Sequence, residues 1–306
     1  VTQFYKLALD DTEPFYNIHG GTQDNSTQMG PSRTTNAHGI QHADWQIVLG
    51  GDGHQPATEP GNPNIAYAES QQGFLFRLDR KTGEQVFIQP QAGKGEMAER
   101  YNWDAPILVS PHKPSRIYFA SQHLWKSEDR GDSWQRISAD LTLNENRFQL
   151  PLMDQTWGWD AGWDLWAMSN YNTITSISES PQKEGLICVG TDDGRLQLTE
   201  DGGENWKMIE VGQLPNCPET AFVNYVKFDL HDQNSLMVAL DNHKYGDFTP
   251  YLYKSTDLGN SWKSMVKGID SVNLVWRVVQ DHVNKDLLFA ATEFGIYFSI
   301  DGAENW

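Results

Sequence analysis

Six carboxylates stand in polar, aromatic or glycine-rich stretches from which a side chain could reach a ligand: Asp52, Asp104, Asp160, Asp164, Asp193 and Glu293. Two such groups flanking a glycosidic bond could hydrolyse it, roughly 6.5–9.5 Å apart for inversion or about 5 Å apart for retention. Position along the chain selects no pair among the six. A second set has the chemistry of recognition rather than reaction: Gln23, Asp24, Asn25, Trp103, Trp157, Trp159, Trp163, Asp192, Asp241, Asn242 and His243. Amides, carboxylates and aromatic rings together suit a carbohydrate or a peptide, and a binding site needs no reactive pair. His42 and His54 are single histidines near acids, with acid–base or ligand roles open to them. The Asp-rich turns at Asp192-Asp193-Gly194 and Asp241-Asn242-His243 lack the spacing of a calcium loop, so no metal site is expected. No cofactor is implied either.

The elements that must position these groups are marked by a repeat. Ser127-Glu128-Asp129-Arg130-Gly131-Asp132-Ser133-Trp134 returns as Thr199 to Trp206, as Ser255 to Trp262 and as Ser299 to Trp306, in the pattern Ser/Thr-x-Asp-x-Gly-x-Ser/Asn-Trp. Asp129, Asp201, Asp257 and Asp301 can each accept hydrogen bonds from the backbone of their own turn. Gly131, Gly203 and Gly259 permit positive φ where the chain reverses. Trp134, Trp206, Trp262 and Trp306 then offer a large apolar face to a neighbouring unit. A carboxylate folded onto its own turn is not available for chemistry, so these residues are expected to be structural.

The repeats resemble the Asp boxes of the BNR-repeat β-propellers, a group that includes sialidases, xyloglucan-degrading glycosidases and the sortilin (VPS10) ectodomain. Tyr171-Asn172-Thr173-Ile174, Val189-Gly190-Thr191-Asp192-Asp193-Gly194, Asp241-Asn242-His243-Lys244 and Ala291-Thr292-Glu293-Phe294-Gly295 narrow the likeness to large bacterial proteins labelled sortilin-like or glycosyl hydrolase. The resemblance implies an all-β propeller of four-stranded blades, a secreted, periplasmic or cell-surface location, and either ligand binding or glycoside hydrolysis. It does not extend to sialidase chemistry. The Phe-Arg-Ile-Pro motif is absent, and nothing groups Arg33, Arg100, Arg195 and Arg277 into a clamp for a substrate carboxylate.

Units of roughly 40 to 50 residues are the period of propeller blades. About six are visible across residues 1–306, read as one partial propeller domain. The second keeps Asp79 and Gly83 of the turn but lacks its Trp, and the sixth stops at Trp306, so further blades beyond it are expected. An insertion at 146–170, with Trp157, Trp159, Trp163 and Trp166 among Asp residues, fits either an aromatic platform or a loop packed across the propeller top. The turns of the repeat should join third and fourth strands, leaving the second-to-third-strand loops and the interblade connections at the opposite end. Those loops hold Gln23-Asp24-Asn25, Gln71-Gln72, Gln122-His123, Asp192-Asp193, Asp241 to Pro250 and Glu293-Phe294.

The bulk composition bounds the partners. A formal net charge of −18 excludes a phosphate-binding basic surface and so argues against nucleic acid. No apolar run approaches the roughly 18 residues of a membrane span. Cys188 lies in an apolar strand run and Cys217 in a Pro-flanked loop, leaving both a pair and two separate thiols open.

Overall fold

The computed structural model describes residues 3–152, 154–158, 160–161 and 170–306. It is an all-β protein of the propeller class, with only short 3-10 turns as helix among the described residues. Six antiparallel sheets follow one another along the chain, five of them four-stranded meanders and the sixth three-stranded. They pack as two compact units, residues 1–136 and 137–306.

The first unit carries three blades. Their strands are Phe4–Leu9, Asn17–Thr22, Thr27–Pro31 and Gln46–Leu49; then Ala57–Thr58, Ile65–Ser70, Phe74–Asp79 and Glu84–Phe87; then Ile107–Val109, Ile117–Ala120, Leu124–Ser127 and Gln135–Arg136. The second unit carries the fourth blade (Ile174–Glu179, Ile187–Thr191, Arg195–Thr199, Lys207–Glu210) and the fifth (Phe222–Phe228, Leu236–Asn242, Asp247–Ser255, Lys263–Ser264). Its sixth blade is Val275–Gln280, Leu288–Thr292 and Gly295–Ser299. A small hairpin, Pro151–Leu152 against Gln155–Thr156, lies within the 146–170 insertion. Trp159, Trp163, Asp164 and Trp166 lie outside the described residues.

The second strands of the third, fourth and fifth blades are buried throughout and read as largely apolar runs because both of their faces are covered, whereas that of the sixth alternates between buried and exposed residues. Leu236–Asn242 is buried along its whole length, and strand alternation divides it between two cores. Leu236, Val238 and Leu240 pack with Cys188, Leu196 and Leu198 of the fourth blade, while Met237 and Ala239 pack with Val275, Val278 and Ala290 of the sixth. The same division occurs in the first unit: Tyr67 meets Ile117 and Phe119 of the third blade, and Ala68 meets Met29 and Val48 of the first. Full burial of a side chain such as Phe119 contributes about 1.5–3 kcal/mol, so the interfaces between successive blades carry much of the stability.

Hydroxyls add direction to the fourth–fifth interface. Ser176 and Ser178 accept from the backbone N–H groups of Val226 and Phe228 at 2.9 and 3.0 Å, and Thr175 donates to the carbonyl of Val223 at 2.6 Å. Cys188 and Cys217 are separate buried thiols, each pushed up to about 12 by burial. Among the described residues no helix is long and apolar enough to cross a membrane.

One expectation needs correction. Asp241 to Pro250 is not one long loop: Asp241 and Asn242 end the second strand, and a four-residue turn leads to Asp247, which pairs with Asn242 across a register shift. The positive φ expected at the repeat's glycine is present at Gly131, Gly203 and Gly259, and a neighbouring residue shares it in each copy: Arg130–Gly131, Gly202–Gly203, Leu258–Gly259 and Gly302–Ala303.

Candidate functional site

The four repeated turns join third to fourth strands in the third, fourth and fifth blades and follow the third strand of the sixth. Their carboxylates are fully engaged. Asp201 accepts from the Asn205 backbone N–H at 2.9 Å, the Asn205 amide at 2.8 Å and the Thr199 hydroxyl at 2.7 Å, while Thr199 Oγ1 itself accepts from the Gly203 N–H at 3.0 Å. Asp129, Asp257 and Asp301 repeat this arrangement with Ser133, Ser261 and Asn305. Hydrogen bonds from the residue four positions on, side chain first, hold the exposed carboxyls of Asp201 and Asp257 down at about 2. Each glycine lets its turn settle on an isoleucine: a Cβ at Gly131 would meet Ile88 Cδ1 at 2.6 Å, and one at Gly259 would meet Ile209 Cδ1 at 2.5 Å. Trp134 and Trp306 complete the attachment by donating to the carbonyls of Ile88 and Met265 at 2.7 and 2.6 Å.

The opposite end of each blade holds a second fastening that sequence reading did not separate from recognition. One polar residue at the end of the second strand, or just beyond it, accepts from the segment that leads into or forms the same blade's first strand. Asp192 Oδ1 takes the Thr173 N–H at 2.8 Å and its Oδ2 the Thr173 hydroxyl at 2.6 Å. Gln122 Oε1 takes the Arg100 N–H at 2.7 Å, and Asn242 Oδ1 takes the Thr220 hydroxyl at 2.8 Å. Gln23 accepts from Tyr5, and Glu293 Oε2 from the Trp276 indole at 3.0 Å. Gln71 Oε1 takes the Asp52 N–H at a longer 3.3 Å. Several of the expected ligand groups are therefore engaged as latches.

Two groupings at this loop end hold polar and aromatic groups beyond the latches, the second of them built around the Trp276–Glu293 latch. In the first unit, Lys6 of the first strand ion-pairs with Asp104 at 2.7 Å, and the other Asp104 oxygen lies 3.9 Å from His54 Nδ1. His54 is completely buried, and neither ring nitrogen has a hydrogen-bond partner among the described residues. Burial pushes its protonation down, against the pull of Asp104 and Asp52. Tyr5 lies against the ring at 4.8 Å between centroids and Trp103 meets it edge-on at 5.7 Å. Glu69, which sequence reading missed, is also completely buried nearby. Burial first, then the Asp104 charge, pushes its carboxyl well above the usual range, although it accepts from the Ala105 N–H at 2.8 Å. Its one signal was a carboxylate in a strand of small and apolar residues, Ile65-Ala66-Tyr67-Ala68-Glu69.

In the second unit a cavity of about 300 Å³ opens between fifth- and sixth-blade loops, lined by His243, Phe248, Val272, Leu274, Trp276, Glu293 and Phe294. Trp276 meets the His243 ring edge-on at 5.9 Å, and the His243 Nδ1 is hydrogen-bonded to buried Asp241, which also accepts from Asn224 Nδ2 at 2.7 Å. His243 and Glu293 come from second-to-third-strand loops, while Val272 and Leu274 come from the connection between the blades. The cavity thus lies at the end of the blades opposite the repeated turns.

The remaining expected residues are placed as follows. Asp52 accepts from the Asp24 N–H at 2.8 Å and Asn25 donates to the Gln23 carbonyl at 3.1 Å, so this loop is closed on itself. Asp193 is buried and accepts from Thr191 Oγ1 at 2.6 Å and the Leu143 N–H at 2.8 Å. Together with Asn172, which bonds Glu145 in both directions at 2.8 Å, it straps the chain ahead of the insertion to the fourth blade. Asp160 is exposed and Trp157 half-buried in the insertion. His42 begins a 3-10 turn and is exposed. Among the described residues no His, Cys, Asp and Glu side chains form a group that could hold a metal ion.

No family model matches the chain. Among characterised proteins it is similar to a probable oligoxyloglucan-reducing end-specific xyloglucanase of Neosartorya fischeri, 27% identical over 164 residues, covering 50% of this chain and 17% of that protein. It is also similar to the oligoxyloglucan-reducing end-specific xyloglucanase of Emericella nidulans, 19% identical over 229 residues, covering 72% of this chain and 25% of that protein. The chain therefore spans a quarter or less of the length of these relatives. Among solved structures it superposes on the extracellular domain of a protein of B. thetaiotaomicron described as a hybrid two component system. The TM-score is 0.59 at 15% identity, over 97% of this chain and 32% of that one, a likeness of fold.

Proposed function

We propose that the chain is a carbohydrate-binding propeller of the extracytoplasmic, sortilin-like Asp-box class, and that it holds its ligand in the cavity between the fifth and sixth blades. The observation that carries this reading is the lining: Trp276, Phe248 and Phe294 supply aromatic rings for the C–H face of a sugar, and His243 and Glu293 supply polar groups beside them. An apolar pocket with few polar groups is the usual form of a small-ligand site, and this volume lies at the small end of that range. The xyloglucanase names of its relatives and the extracellular location of its structural neighbour support the same reading. Calorimetric titration with a panel of neutral and amino-bearing oligosaccharides tests it. Binding that is lost in Trp276→Ala while the variant still unfolds cooperatively above the assay temperature is expected; a panel without a ligand, or binding indifferent to Trp276→Ala, overturns it.

A second reading, glycoside hydrolysis, is favoured by the relatives' names and by the first unit's acidic centre. Asp104 and Asp52 both act on His54 and Tyr5, and one Asp104 oxygen has no hydrogen-bond partner among the described residues. Hydrolysis would require the two carboxylates to flank the bond. Turnover of xyloglucan oligosaccharides that disappears in both Asp104→Asn and Asp52→Asn, with folding intact, would establish it in place of simple binding.

A further inference from the structure

The cavity between the fifth and sixth blades has a charge pattern as definite as its aromatic lining. Glu293 is its one carboxylate, and no Lys or Arg is among its lining residues. The two cations next to it in sequence are turned elsewhere. Lys244 follows His243, and its ammonium lies over the Phe222 ring at 4.9 Å. Arg277 follows Trp276 on the strand, so alternation sends it to the other face, where its guanidinium lies over Tyr225 at 4.7 Å. His243 is held by the buried Asp241, a further negative charge behind the wall. A ligand carboxylate or sulfate would thus find no Lys or Arg among the lining residues and would face a chain of net charge −18.

Glu293 is built to be presented. Its Oε2 is anchored by the Trp276 indole N–H at 3.0 Å, which fixes the carboxylate at the edge of the largest ring face in the cavity, and the residue is exposed to solvent. A group that satisfies both features must combine an apolar face with an adjacent cation. Aromatic faces and a carboxylate reinforce one another in holding such a cation, since ring quadrupole and formal charge attract it together.

We infer that this cavity selects a saccharide carrying a protonated amino group, the sugar ring lying on Trp276 and the ammonium paired with Glu293. This rests on the carbohydrate-binding reading and sharpens it from sugars in general to amino sugars. The carboxylate fixed by the indole then acts as the specificity determinant, discriminating an amine from its amide at the same ring position and from a saccharide that carries an acid instead. Acetylation of the amine removes the charge while leaving the ring face, so the acetylated and free forms of one oligosaccharide are the natural comparison.

The test is calorimetric titration at low ionic strength with a glucosamine trimer, its N-acetylated form, a neutral glucose trimer and a galacturonic acid trimer. The glucosamine trimer is expected to bind about tenfold more tightly than the acetylated and neutral ones, the scale of one charge-assisted contact, and the acidic trimer to bind least. Glu293→Gln keeps an oxygen for the Trp276 indole and should abolish the tenfold preference, bringing the affinity for the free trimer down to that for the acetylated one. Glu204→Gln, an exposed carboxylate in a repeated turn, should leave the preference intact, which separates a contact at Glu293 from attraction by the net charge. Equal affinity for the free and acetylated trimers, or a preference that survives Glu293→Gln, overturns the selection of amines while the carbohydrate reading stands. Failure of all four saccharides to bind overturns both.

Discussion

The two ends of each blade use carboxylates in opposite ways. In the repeated turns Asp201, Asp257 and Asp301 are exposed and held down at about 2 by donors from within five residues of themselves. At the other end Asp192 and Glu69 are fully buried and pushed upward, burial being the first cause in both. A short-range network can satisfy a charge at the surface without desolvating it, whereas a latch placed between strands must carry its charge into a low dielectric. The turn end is therefore electrically settled, and the loop end retains polar groups with unmet capacity. This is why the candidate sites lie at the loop end.

The sharpest way to break this contrast is at the turn's glycine. Gly203 has a φ of 105°, and a Cβ there would lie 2.5 Å from the Ile137 carbonyl oxygen, a backbone atom that cannot swing aside. Gly203→Ala is expected to destabilise by on the order of 3 kcal/mol from strained backbone and overpacking together, seen as a large drop in denaturant midpoint. A variant as stable as wild type would show that the turn does not close down on its neighbour.

The next comparison sets the same substitution at both ends. Asp192→Ala removes the acceptor of two buried hydrogen bonds, from the Thr173 N–H and hydroxyl, and should cost about 1–3 kcal/mol. Asp192→Asn keeps an oxygen for that N–H and can donate to the Thr173 hydroxyl, so it should be nearly neutral. Asp201→Asn turns an amide into a site where all partners donate, and should lower the melting temperature further than Asp192→Asn does. Saccharide affinity should stay within a few-fold of wild type in Asp201→Asn. Melting curves with a parallel titration check all three, and the reverse order of Asn effects would contradict the division of the two ends.

The turn end was legible in the sequence and the loop end was not, for one physical reason. Every donor to Asp129 or Asp201 lies within five residues, so the eight-residue pattern contains its own explanation. The partners of Asn242 and Gln122 lie 22 residues away at Thr220 and Arg100, and His54 meets Asp104 only after two blades have packed. Second-strand runs such as Leu236–Leu240 disclosed blades because burial on both faces leaves a compositional trace. Glu69 left none that its neighbours could interpret, since its environment is made by Ala105 and Asp104 from another blade. Of the cavity's residues, His243, Glu293 and Phe294 were picked out and Phe248 fell within a candidate loop, whereas Trp276, a first-strand residue, was not singled out.

A pH titration separates the ends with a smaller effect. Asp257 and Asp301 are about 2 folded against an ordinary 3.8, so their stabilisation is complete above 3.8 and is lost as pH falls through about 2. Asp192 has the opposite sign. Burial, and then the neighbouring Asp193 charge, raise it above 3.8, so its contribution is complete below 3.8 and is lost as pH rises above that. The wild-type minus Asp192→Asn difference in melting temperature should therefore change above pH 4 and stay flat below, while the wild-type minus Asp257→Asn difference should change only below pH 4. Difference curves are needed because His54 has its own slope: its protonation is depressed, so its contribution is lost as pH falls below 6.5. Two curves with the same window would mean that the two kinds of carboxylate are not distinct.

The smallest effect is expected where the repeat departs from its own pattern. The fourth copy has Ala303 in place of the glycine, at a φ of 68° that costs a Cβ-bearing residue roughly 1–2 kcal/mol. Its counterpart three residues beyond the preceding tryptophan is Met265, where Trp134 and Trp206 are followed at that distance by Ile137 and Ile209. Met is unbranched at Cβ and adaptable, and Ala303 is buried in one cluster with it. The methyl of Ala303 thus fills space that the branched isoleucines occupy at Gly203 and Gly259. Ala303→Gly relieves the backbone strain but empties that space and frees the unfolded chain, terms of similar size and opposite sign. Its melting temperature should lie within about a degree or two of wild type, the shift that ~0.5 kcal/mol produces in a domain of this size. In an Ala303→Gly, Met265→Ile double variant the isoleucine should be accepted, and Met265→Ile alone, facing the alanine methyl, should be the less stable of the two. Additive effects in that cycle would mean that residue and neighbour are uncoupled and that the turn does not seat on the blade before it.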